Sequence, residues 1–383
     1  MRRIWLIGVC MIGVCCLFLT NCRRQTSLRE DTGDTLRFSY AENLLVVKYP
    51  QYIVVELKDP WKKGRTLHRY ILTEDDTKVP HVEGSIVKIP LNRSVVFNTA
   101  HASLLEMLGA DWQIRGVCDL KYMNLPNIQR RAKMEKQAAT SIIDCGDSMQ
   151  PDIEQIVDLK ADAILLSPFE NSGGYGRLEK IGVPIIECAD YMETSALGRA
   201  EWMKFYGLLY GKEAEADSLF KLVDFAYHVY SDEAKSMKKE RSMITEKLTG
   251  STWYVAGGKS TVGQLIADAN GQYVWASDEH SGSLALPFET VLEKAGEADV
   301  WVFNWSSSAP PTYESLAAEY HGYKQMKAFR EHHVWYIDTQ KVPYFEEVSF
   351  RPDYLLRDYI LLLHPEYKKQ AGESPRYFTP LRE

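Results

Sequence analysis

Hydrophobic and polar positions alternate along residues 36–91 in short stretches, which are separated by turn residues such as Pro50 and Gly64. Alternation with a period of two is typical of half-buried strands, and turn residues between such stretches indicate antiparallel hairpins. The predicted strands cover residues 36–40, 44–49, 52–57, 67–72 and 86–91. We therefore expect a β-rich N-terminal extension, residues 36–91, that packs on the lobe that follows it.

From residue 94 the pattern changes to short apolar runs that alternate with stretches of helical spacing. Such alternation implies parallel strand pairing and βαβ units. Strands are predicted at residues 95–97, 114–118, 163–166 and 183–187, and helices at 102–108, 152–159 and 177–181. Residues 92–195 are therefore predicted to form an N-terminal α/β lobe.

The second half of the chain repeats this order. Strands are predicted at residues 253–255, 272–275, 300–303 and 334–337, and helices at 262–269, 287–294 and 313–320. Residues 151–166 and 287–303 also correspond: each segment has a Pro, a Glu in the first helical turn, an Ala-Asp pair and a buried strand. This correspondence predicts a C-terminal α/β lobe, residues 240–383, with the architecture of the first.

Residues 196–239, between the two lobes, are almost free of strand signals. Apolar residues recur at helical spacing from Ala214 to Tyr230, which predicts one long helix over residues 212–237. A single stiff helix between two lobes permits only limited hinge motion. The predicted fold class is thus α/β, with two Rossmann-like lobes built on parallel sheets, a long interlobe helix and the β-rich extension.

The start of the chain has the pattern of an export signal. Two arginines precede an apolar run over residues 4–19, which is shorter than the roughly 20 residues that a membrane-spanning helix needs. The stretch 19–22 resembles the lipobox of bacterial lipoproteins, which implies that residues 1–21 are removed and that Cys22 carries lipid. The polar residues 22–35 are then a tether. An ordinary cleaved signal or an uncleaved anchor is the alternative.

Charge and cysteine content narrow the classes of function. The chain has 45 basic and 52 acidic residues, a formal charge of −7, and no basic stripe, so we expect no nucleic-acid partner. After the predicted signal and Cys22, the chain contains Cys118, Cys145 and Cys188, each at the end of an apolar run. We expect buried thiols at these positions, although one pair could form a disulfide in an oxidising compartment.

The sequence offers little machinery for catalysis. Residues 257–261 read Gly-Gly-Lys-Ser-Thr, but Trp253 occupies the position of the first glycine of a phosphate-binding loop. We interpret this stretch as a glycine turn that leads into a helix. His280 and the pair at 332–333 lack the spacing of metal ligands, and no nucleophile elbow is present. The sequence therefore predicts no catalytic residue, no cofactor and no directly bound metal ion.

Aromatic residues follow the predicted strands in both halves of the chain. In α/β sheets, ligands bind outside the carboxyl ends of the strands, and aromatic faces there suit a large, rigid, partly apolar ligand. The candidate ligand-binding residues of this kind are Tyr122, Tyr175, Trp253, Trp305 and Tyr344.

In order and spacing, several segments together resemble the class III periplasmic binding proteins of ATP-binding-cassette importers, which carry iron–siderophores, haem or cobalamin. The segments are residues 93–97, 151–156, 159–163, 197–202 and 351–358. The resemblance implies a protein of the periplasm, lipid-anchored to the cell envelope membrane, that is not an enzyme. The resemblance further implies that the protein captures a metal chelate between its lobes and delivers it to a permease and ATPase complex.

The resemblance also implies roles for individual residues. In the family, a surface Glu on each lobe docks on the permease, and the matching positions here are Glu154 and Glu289. The cleft-lining loops of the family correspond to residues 146–149 and 281–284, which adds Met149 and Ser283 to the candidate ligand contacts. The sequence does not choose between siderophore, haem and corrinoid.

Two other functions remain open at this point. One is an exported two-lobe α/β enzyme that acts on a small molecule, and a cluster of ionisable residues in the cleft would favour it. The other is a surface protein that captures and stores ligand without a permease.

Overall fold

The structure is a computed structural model that describes residues 33–79, 82–136, 138–170, 174–239 and 241–383. The predicted signal, the lipid-carrying Cys22 and most of the tether therefore lie outside the described residues. Residues 33–383 form one compact unit. Among the described residues, no helix combines the length and the apolar composition that spanning a membrane requires.

The N-terminal extension forms a five-stranded sheet in the order β1-β2-β3-β4-β5. Its strands are β1 (Asp34–Leu36), β2 (Leu44–Lys48), β3 (Ile53–Lys58), β4 (Thr66–Thr73) and β5 (Ser85–Lys88). The first four strands pair antiparallel, as predicted, whereas β4 and β5 are parallel. The connection between the two strands, residues 74–84, is long enough to permit the parallel pairing, which a tight hairpin would not.

The first lobe contains a five-stranded parallel sheet in the order β12-β11-β6-β7-β8, and a small antiparallel pair, β9 and β10. Its strands are β6 (Ser94–Val96), β7 (Ile114–Val117), β8 (Ile143–Asp144), β9 (Gly146–Asp147), β10 (Gln150–Pro151), β11 (Ala163–Leu166) and β12 (Ile185–Glu187). Its helices are α1 (Thr99–Met107), α2 (Pro126–Ala132) and α3 (Ile153–Asp158). The predicted helix at residues 177–181 is only a 3-10 turn, Glu179–Ile181.

The linker consists of three helices, α4 (Ala196–Glu201), α5 (Met203–Tyr210) and α6 (Glu213–Ser236). The prediction of one long helix over residues 212–237 is confirmed to within one residue at each end. At 1.5 Å per residue, α6 is about 36 Å long. Its buried face includes Phe220, Val223 and Tyr227. Burial of this stripe in the core holds the long helix on the lobes.

The second lobe has a four-stranded sheet in the order β13-β17-β18-β19, in which the first three strands are parallel and β19 is antiparallel. Its strands are β13 (Met243–Thr245), β14 (Leu248–Thr249), β15 (Thr252–Ala256), β16 (Ser283–Leu286), β17 (Val300–Trp305), β18 (Val334–Asp338) and β19 (Phe378–Pro380). Its helices are α7 (Thr261–Asp268), α8 (Phe288–Ala295), α9 (Tyr313–Glu319), α10 (Lys327–Arg330), α11 (Tyr344–Glu347), α12 (Pro352–Leu363) and α13 (Pro365–Ala371).

Two predictions for the second lobe were wrong. The strand expected at residues 253–255 exists as β15, but it pairs antiparallel with β14 and β16 in a separate sheet. Strand β13 instead pairs in parallel with β17 in the main sheet. The strand expected at residues 272–275 is a turn, in which the Ala276 N–H donates to the Tyr273 carbonyl at 3.1 Å. Asn270, with φ of 53°, reverses the chain after α7, and only Gln272 forms an isolated bridge, to Ser242.

The glycine-rich stretch 257–261 is a turn before a helix, as interpreted from the sequence. The Ser260 side chain accepts a hydrogen bond from the Gly263 N–H and caps α7. A Cβ at Gly257 would overlap the carbonyl oxygen of His280, and one at Gly258 would overlap that of Trp275. These glycines therefore permit close backbone packing.

Two buried carboxylates attach the extension to the linker helix α4 and to the loop that precedes it. Glu201 accepts hydrogen bonds from the backbone N–H groups of residues 39–41 at 2.8–3.0 Å. Glu193 accepts from the next two N–H groups, those of residues 42 and 43, at 2.9 Å. Because these N–H groups bind carboxylates, residues 37–40 do not continue β1 as predicted.

Tyr70, on β4, attaches the extension to the edge strand of the first lobe. Its hydroxyl donates to the Ile185 carbonyl at 3.0 Å and accepts from the Glu187 N–H at 2.8 Å, both on β12. An uncovered edge strand presents unpaired backbone groups, and Tyr70 satisfies two of them. The expected packing of the extension on the first lobe is thus confirmed.

The three thiols of the described chain, Cys118, Cys145 and Cys188, are buried and free, as expected. Burial raises the pKa of each thiol above its ordinary value. A raised pKa keeps these groups protonated and unreactive.

Candidate functional site

A cavity of about 500 Å³ lies where the carboxyl ends of β6 and β7 meet α11 and the end of β17. The first lobe contributes residues 97–100, which follow β6, and residues 119, 122 and 123, which follow β7. The second lobe contributes Asn304 and residues 344, 345, 348 and 349. The cavity therefore lies between the two lobes, at the sheet edge where α/β proteins bind ligands.

A second cavity, of about 330 Å³, adjoins the first and is lined by the first lobe. The two cavities share Phe97, Asn98 and Ser148. The second adds Met149 from the turn between β9 and β10, and Phe169 from the loop after β11. We call the two cavities together the cleft.

Large apolar side chains are exposed around the cleft. Tyr122 is 70% exposed, Met149 77%, Phe169 55% and Phe345 49%. Exposed apolar side chains that gather around one concave space are typical of a binding site. The cleft thus suits a bulky ligand with a large apolar surface.

Arg199, on α4, is the basic residue among those that line the interlobe cavity, and Asp119 is the acidic one. The Arg199 Nε donates to Asp190 Oδ2 at 3.1 Å. Asp190 is buried, and its Oδ1 lies 2.7 Å from His101 Nε2 and accepts from the Tyr206 hydroxyl at 3.0 Å. Burial by itself raises the pKa of Asp190, but His101, Arg199 and Tyr206 outweigh burial and hold the pKa below its ordinary value. Asp190 is therefore an anionic anchor for Arg199.

Sequence reasoning missed Arg199 as a residue of the site. It lies in the segment 197–202, which carried the family resemblance but gave no sign of its contact with the cleft. The available signal was one arginine in a segment whose other residues, apart from Glu201, are apolar or glycine, since a charge in such a segment needs a partner or a function.

Four of the predicted ligand contacts come together at the cleft. Tyr122 and Tyr344 line the interlobe cavity, and Met149 and Tyr175 line the adjoining one. The Tyr175 hydroxyl donates to Glu187 Oε1 at 2.6 Å, which fixes the ring on the first-lobe side of the cleft. Burial raises the pKa of Tyr344 above its ordinary value, so its phenol is neutral.

Trp253 requires a correction. Its side chain is fully buried, its ring contacts Trp301 and Tyr323, and its Nε1 donates to the Thr245 carbonyl at 2.9 Å. A ring enclosed in the second-lobe core does not reach a ligand in the cleft, so the prediction of a ligand contact at Trp253 was wrong.

Trp305 and Ser283 line neither cavity of the cleft. Trp305 is half-buried at the end of β17, where its Nε1 donates to the Ala309 carbonyl at 2.8 Å. Ser283 is exposed at the start of β16. Their predicted roles stay predictions.

Glu154 and Glu289 are exposed in the first turns of α3 and α8. Within the described residues, neither carboxylate has a hydrogen bond or ion pair that would occupy it. Both carboxylates are therefore accessible to a partner, and their docking role stays a prediction.

The described residues contain no group of three or more His, Cys, Asp or Glu side chains that could hold a metal ion. Of the loop histidines, the exposed His280 side chain contacts Asp278, with Nδ1 3.0 Å from Oδ1. The exposed His332 contacts Glu383, with Nδ1 2.8 Å from Oε1.

Beside the interlobe cavity, hydrogen bonds join the two lobes. The buried Glu346, on α11, accepts from the Thr99 hydroxyl at 3.0 Å and from the Asn124 N–H at 2.9 Å. Both donors belong to the first lobe, so one carboxylate connects the lobes next to the cleft.

Comparisons with known proteins agree with this geometry. A family model described as periplasmic binding protein matches residues 95–341. An uncharacterized lipoprotein of Methanocaldococcus jannaschii is 25% identical, over 88% of this chain and 84% of the relative.

Solved structures of solute-binding proteins share the fold. The vitamin B12 binding protein BtuF of Vibrio cholerae has a TM-score of 0.53 at 13% identity, and covers 73% of this chain and 99% of its own. Staphylococcus aureus IsdE in complex with haem has a TM-score of 0.53 at 18% identity, and covers 70% of this chain and 98% of its own. At these identities the likeness shows the fold alone.

Proposed function

Because this chain belongs to the periplasmic binding protein family, we propose that it captures a metal chelate in the cleft and delivers it to the permease and ATPase of an importer. The chelate is an iron–siderophore, a haem or a cobalamin-like corrinoid. The protein binds its ligand at equilibrium and releases it unaltered.

The observation that carries this proposal is the set of exposed apolar side chains around a cavity that both lobes line. A metal chelate of this kind is large, rigid and partly apolar, so it can bury the faces of Tyr122, Met149, Phe169 and Phe345 together. Burial of apolar surface contributes roughly 25 cal/mol per Å², which makes these side chains the main source of affinity.

A panel of chelates tests the capture function. We expect native mass spectrometry of the purified protein with ferrioxamine B, hemin and cyanocobalamin to show a one-to-one complex with at least one of them. After release from the protein, the chelate should have the same absorbance spectrum as the chelate before binding. Absence of any complex at 100 μM chelate (about 5 kcal/mol of binding free energy), or chemical change of the chelate on release, contradicts the proposal.

The docking part of the proposal assigns Glu154 and Glu289 to the permease. Their support is their exposure on corresponding elements of the two lobes and their lack of a partner among the described residues. Two such carboxylates fit a partner that presents arginines from two related subunits.

Substitution of both residues tests docking. In cells, Glu154→Ala with Glu289→Ala should lower chelate import by about tenfold or more, because interface charge pairs are lost, while chelate affinity is unchanged. The matched control replaces exposed acidic residues on the same two helices, Asp158→Ala with Glu293→Ala, and should import normally. Normal import by the first variant, or equal loss in the control, refutes the docking role.

We also propose that the protein is lipid-anchored to the envelope membrane through Cys22, on the periplasmic side. The support is the lipobox-like stretch 19–22 and a relative that is named a lipoprotein. Labelled fatty acid should be incorporated into the wild-type protein and not into Cys22→Ser, and equal labelling of the two would rule out this anchor.

A further inference from the structure

Arg199 is held in place at the interlobe cavity with part of its guanidinium unused. Its Nε donates to the buried Asp190, while Nη1 and Nη2 have no hydrogen bond or ion pair in the described part of the chain. The side chain is 25% exposed and lines the cavity. An arginine anchored through Nε presents its two terminal amino groups in a fixed plane.

The anchor is itself rigid. Asp190 is 1% exposed, and its two carboxylate oxygens are shared among His101, Tyr206 and Arg199. Since the guanidinium cannot rotate freely about this contact, little side-chain entropy is lost when Nη1 and Nη2 bind a ligand.

The charge balance of the cavity leaves the guanidinium without a second counterion. The acidic residue of the lining, Asp119, accepts instead from the Ser148 N–H at 3.3 Å, on the first-lobe side. The other polar residues of the lining, which include Asn98, Thr99 and Asn304, are uncharged. A partly buried guanidinium with two free amino groups favours a ligand oxyanion, which can accept two parallel N–H···O bonds.

We propose that Arg199 binds an oxyanion of the chelate, a carboxylate or a phosphodiester, through Nη1 and Nη2, and thereby makes the cleft select chelates that bear such a group. This inference rests on the proposed function and names the chemical feature of the ligand. In this proposal the exposed apolar side chains around the cleft bind the body of the chelate, and Arg199 distinguishes chelates with an oxyanion from chelates without one.

Pairs of chelates with and without an oxyanion test the proposal. Hemin is compared with its dimethyl ester, in which both carboxylates are masked, and N-succinyl ferrioxamine B with the neutral N-acetyl ferrioxamine B. Cyanocobalamin is compared with dicyanocobinamide, which lacks the nucleotide loop and its phosphodiester. Equilibrium dialysis measures both dissociation constants of each pair. In the pair that the wild-type protein binds, the oxyanion-bearing chelate should bind at least about tenfold more tightly than the chelate without the oxyanion, because the latter cannot form the charge-assisted hydrogen bond to Arg199.

Variants separate binding by Arg199 from an effect of folding. Arg199→Gln should reduce the ratio within the pair to near one, mainly by weakening the oxyanion-bearing member, and Arg199→Lys should retain part of it, since the charge stays and the forked geometry is lost. Arg330→Gln, at an exposed arginine of the second lobe, should leave both constants unchanged. The wild-type ratio needs no variant, so it remains decisive if Arg199→Gln does not fold.

The outcomes distinguish this inference from the proposed function. Binding of both members of a pair with equal affinity overturns the role of Arg199 and leaves chelate capture intact. A wild-type preference that persists in Arg199→Gln also overturns it. If no member of any pair binds, the proposed function fails and this inference fails with it.

Discussion

The first lobe turns several large apolar side chains toward the cleft, whereas the second lobe buries most of its aromatic residues in its own core. Tyr122 and Phe169 follow strands of the first lobe and are more than half exposed. Trp253 and Trp301 are fully buried in the second lobe, where they contact each other. Apart from α11, which brings Tyr344 and Phe345 to the cavity, the second lobe contributes few large apolar side chains to the cleft.

The difference shows that two halves with corresponding helices and strands need not present the same kind of surface to the cleft. The first lobe provides a broad apolar wall, and the second adds α11 and Asn304 from the opposite side. We therefore expect the first-lobe wall to determine most of the affinity and the second-lobe core to determine stability.

Removal of the Trp253 side chain should have the largest effect. Trp253→Ala is expected to lower the free energy of unfolding by about 3–5 kcal/mol, because it leaves a cavity in a packed aromatic core. Guanidinium denaturation of the folded protein measures this change. If the free energy of unfolding falls by less than about 1 kcal/mol and chelate binding weakens, Trp253 contacts the ligand and the contrast between the two lobes is wrong.

The attachment of the extension should come next. Glu201→Gln replaces an oxygen acceptor with an NH₂ group that faces the backbone N–H groups of residues 39–41, so it should cost about 2–3 kcal/mol of stability. Hydrogen exchange should show faster exchange at residues 39–43 and unchanged exchange in β17 and β18. Equal acceleration in the second lobe would show that the extension stabilises the whole chain and not the first lobe and linker.

The first-lobe wall should affect affinity and leave stability nearly unchanged. Tyr122→Ala should weaken chelate binding by about tenfold, since the exposed ring loses its contact with the ligand. The control, Trp112→Ala, removes another exposed first-lobe aromatic that lies outside the lining of the cleft. If the two variants bind the chelate equally well, the wall is not the affinity determinant.

The smallest effect is expected at Tyr254, the neighbour of Trp253 on the outer face of β15. Its ring is about half exposed, so Tyr254→Ser should change stability by no more than about 0.5 kcal/mol and should not alter chelate affinity. A large loss of affinity would mean that the ligand extends over the outer face of the second lobe.

The sequence was sufficient where local pattern determines structure. The helical spacing of apolar residues located α6 to within one residue at each end, and apolar runs located the buried strands β11 and β17. The hydrophobic pattern of each element's own residues is enough to predict it, so the distant segments that it packs against did not have to be known.

Strand pairing in the second lobe was harder to predict, because a strand does not encode its neighbour. In the structure Trp253 and Val255 are buried while Tyr254 is exposed, and this alternation is typical of an antiparallel strand with one face in solvent. The sequence does not show the alternation, because all three residues are hydrophobic. The parallel strand at residues 300–303 is instead buried on both faces.

The site was predictable in part for the same reason. The position of Tyr122, Met149, Tyr175 and Tyr344 beside the cleft was predictable because these residues follow strands or lie in cleft loops, and that placement is a matter of chain order. Arg199 was missed because its role depends on Asp190 and on a cavity that the opposite lobe completes. Glu201 likewise acts on residues some 160 positions away, a distance over which residue patterns carry no information.

Glu201 and Glu193, which bind the backbone of residues 39–43, also determine which part of the fold bears a force applied to the amino end of the chain. Tension applied to the chain at Gly33 reaches Glu201 and Glu193 within ten positions and passes into the linker helices and the first lobe. Both attachment points lie on the linker or the first lobe, and neither lies on the second lobe. If the chain is anchored at its amino end, as we propose, tension on the anchor would act on the extension, the linker and the first lobe, and would not act between the two lobes.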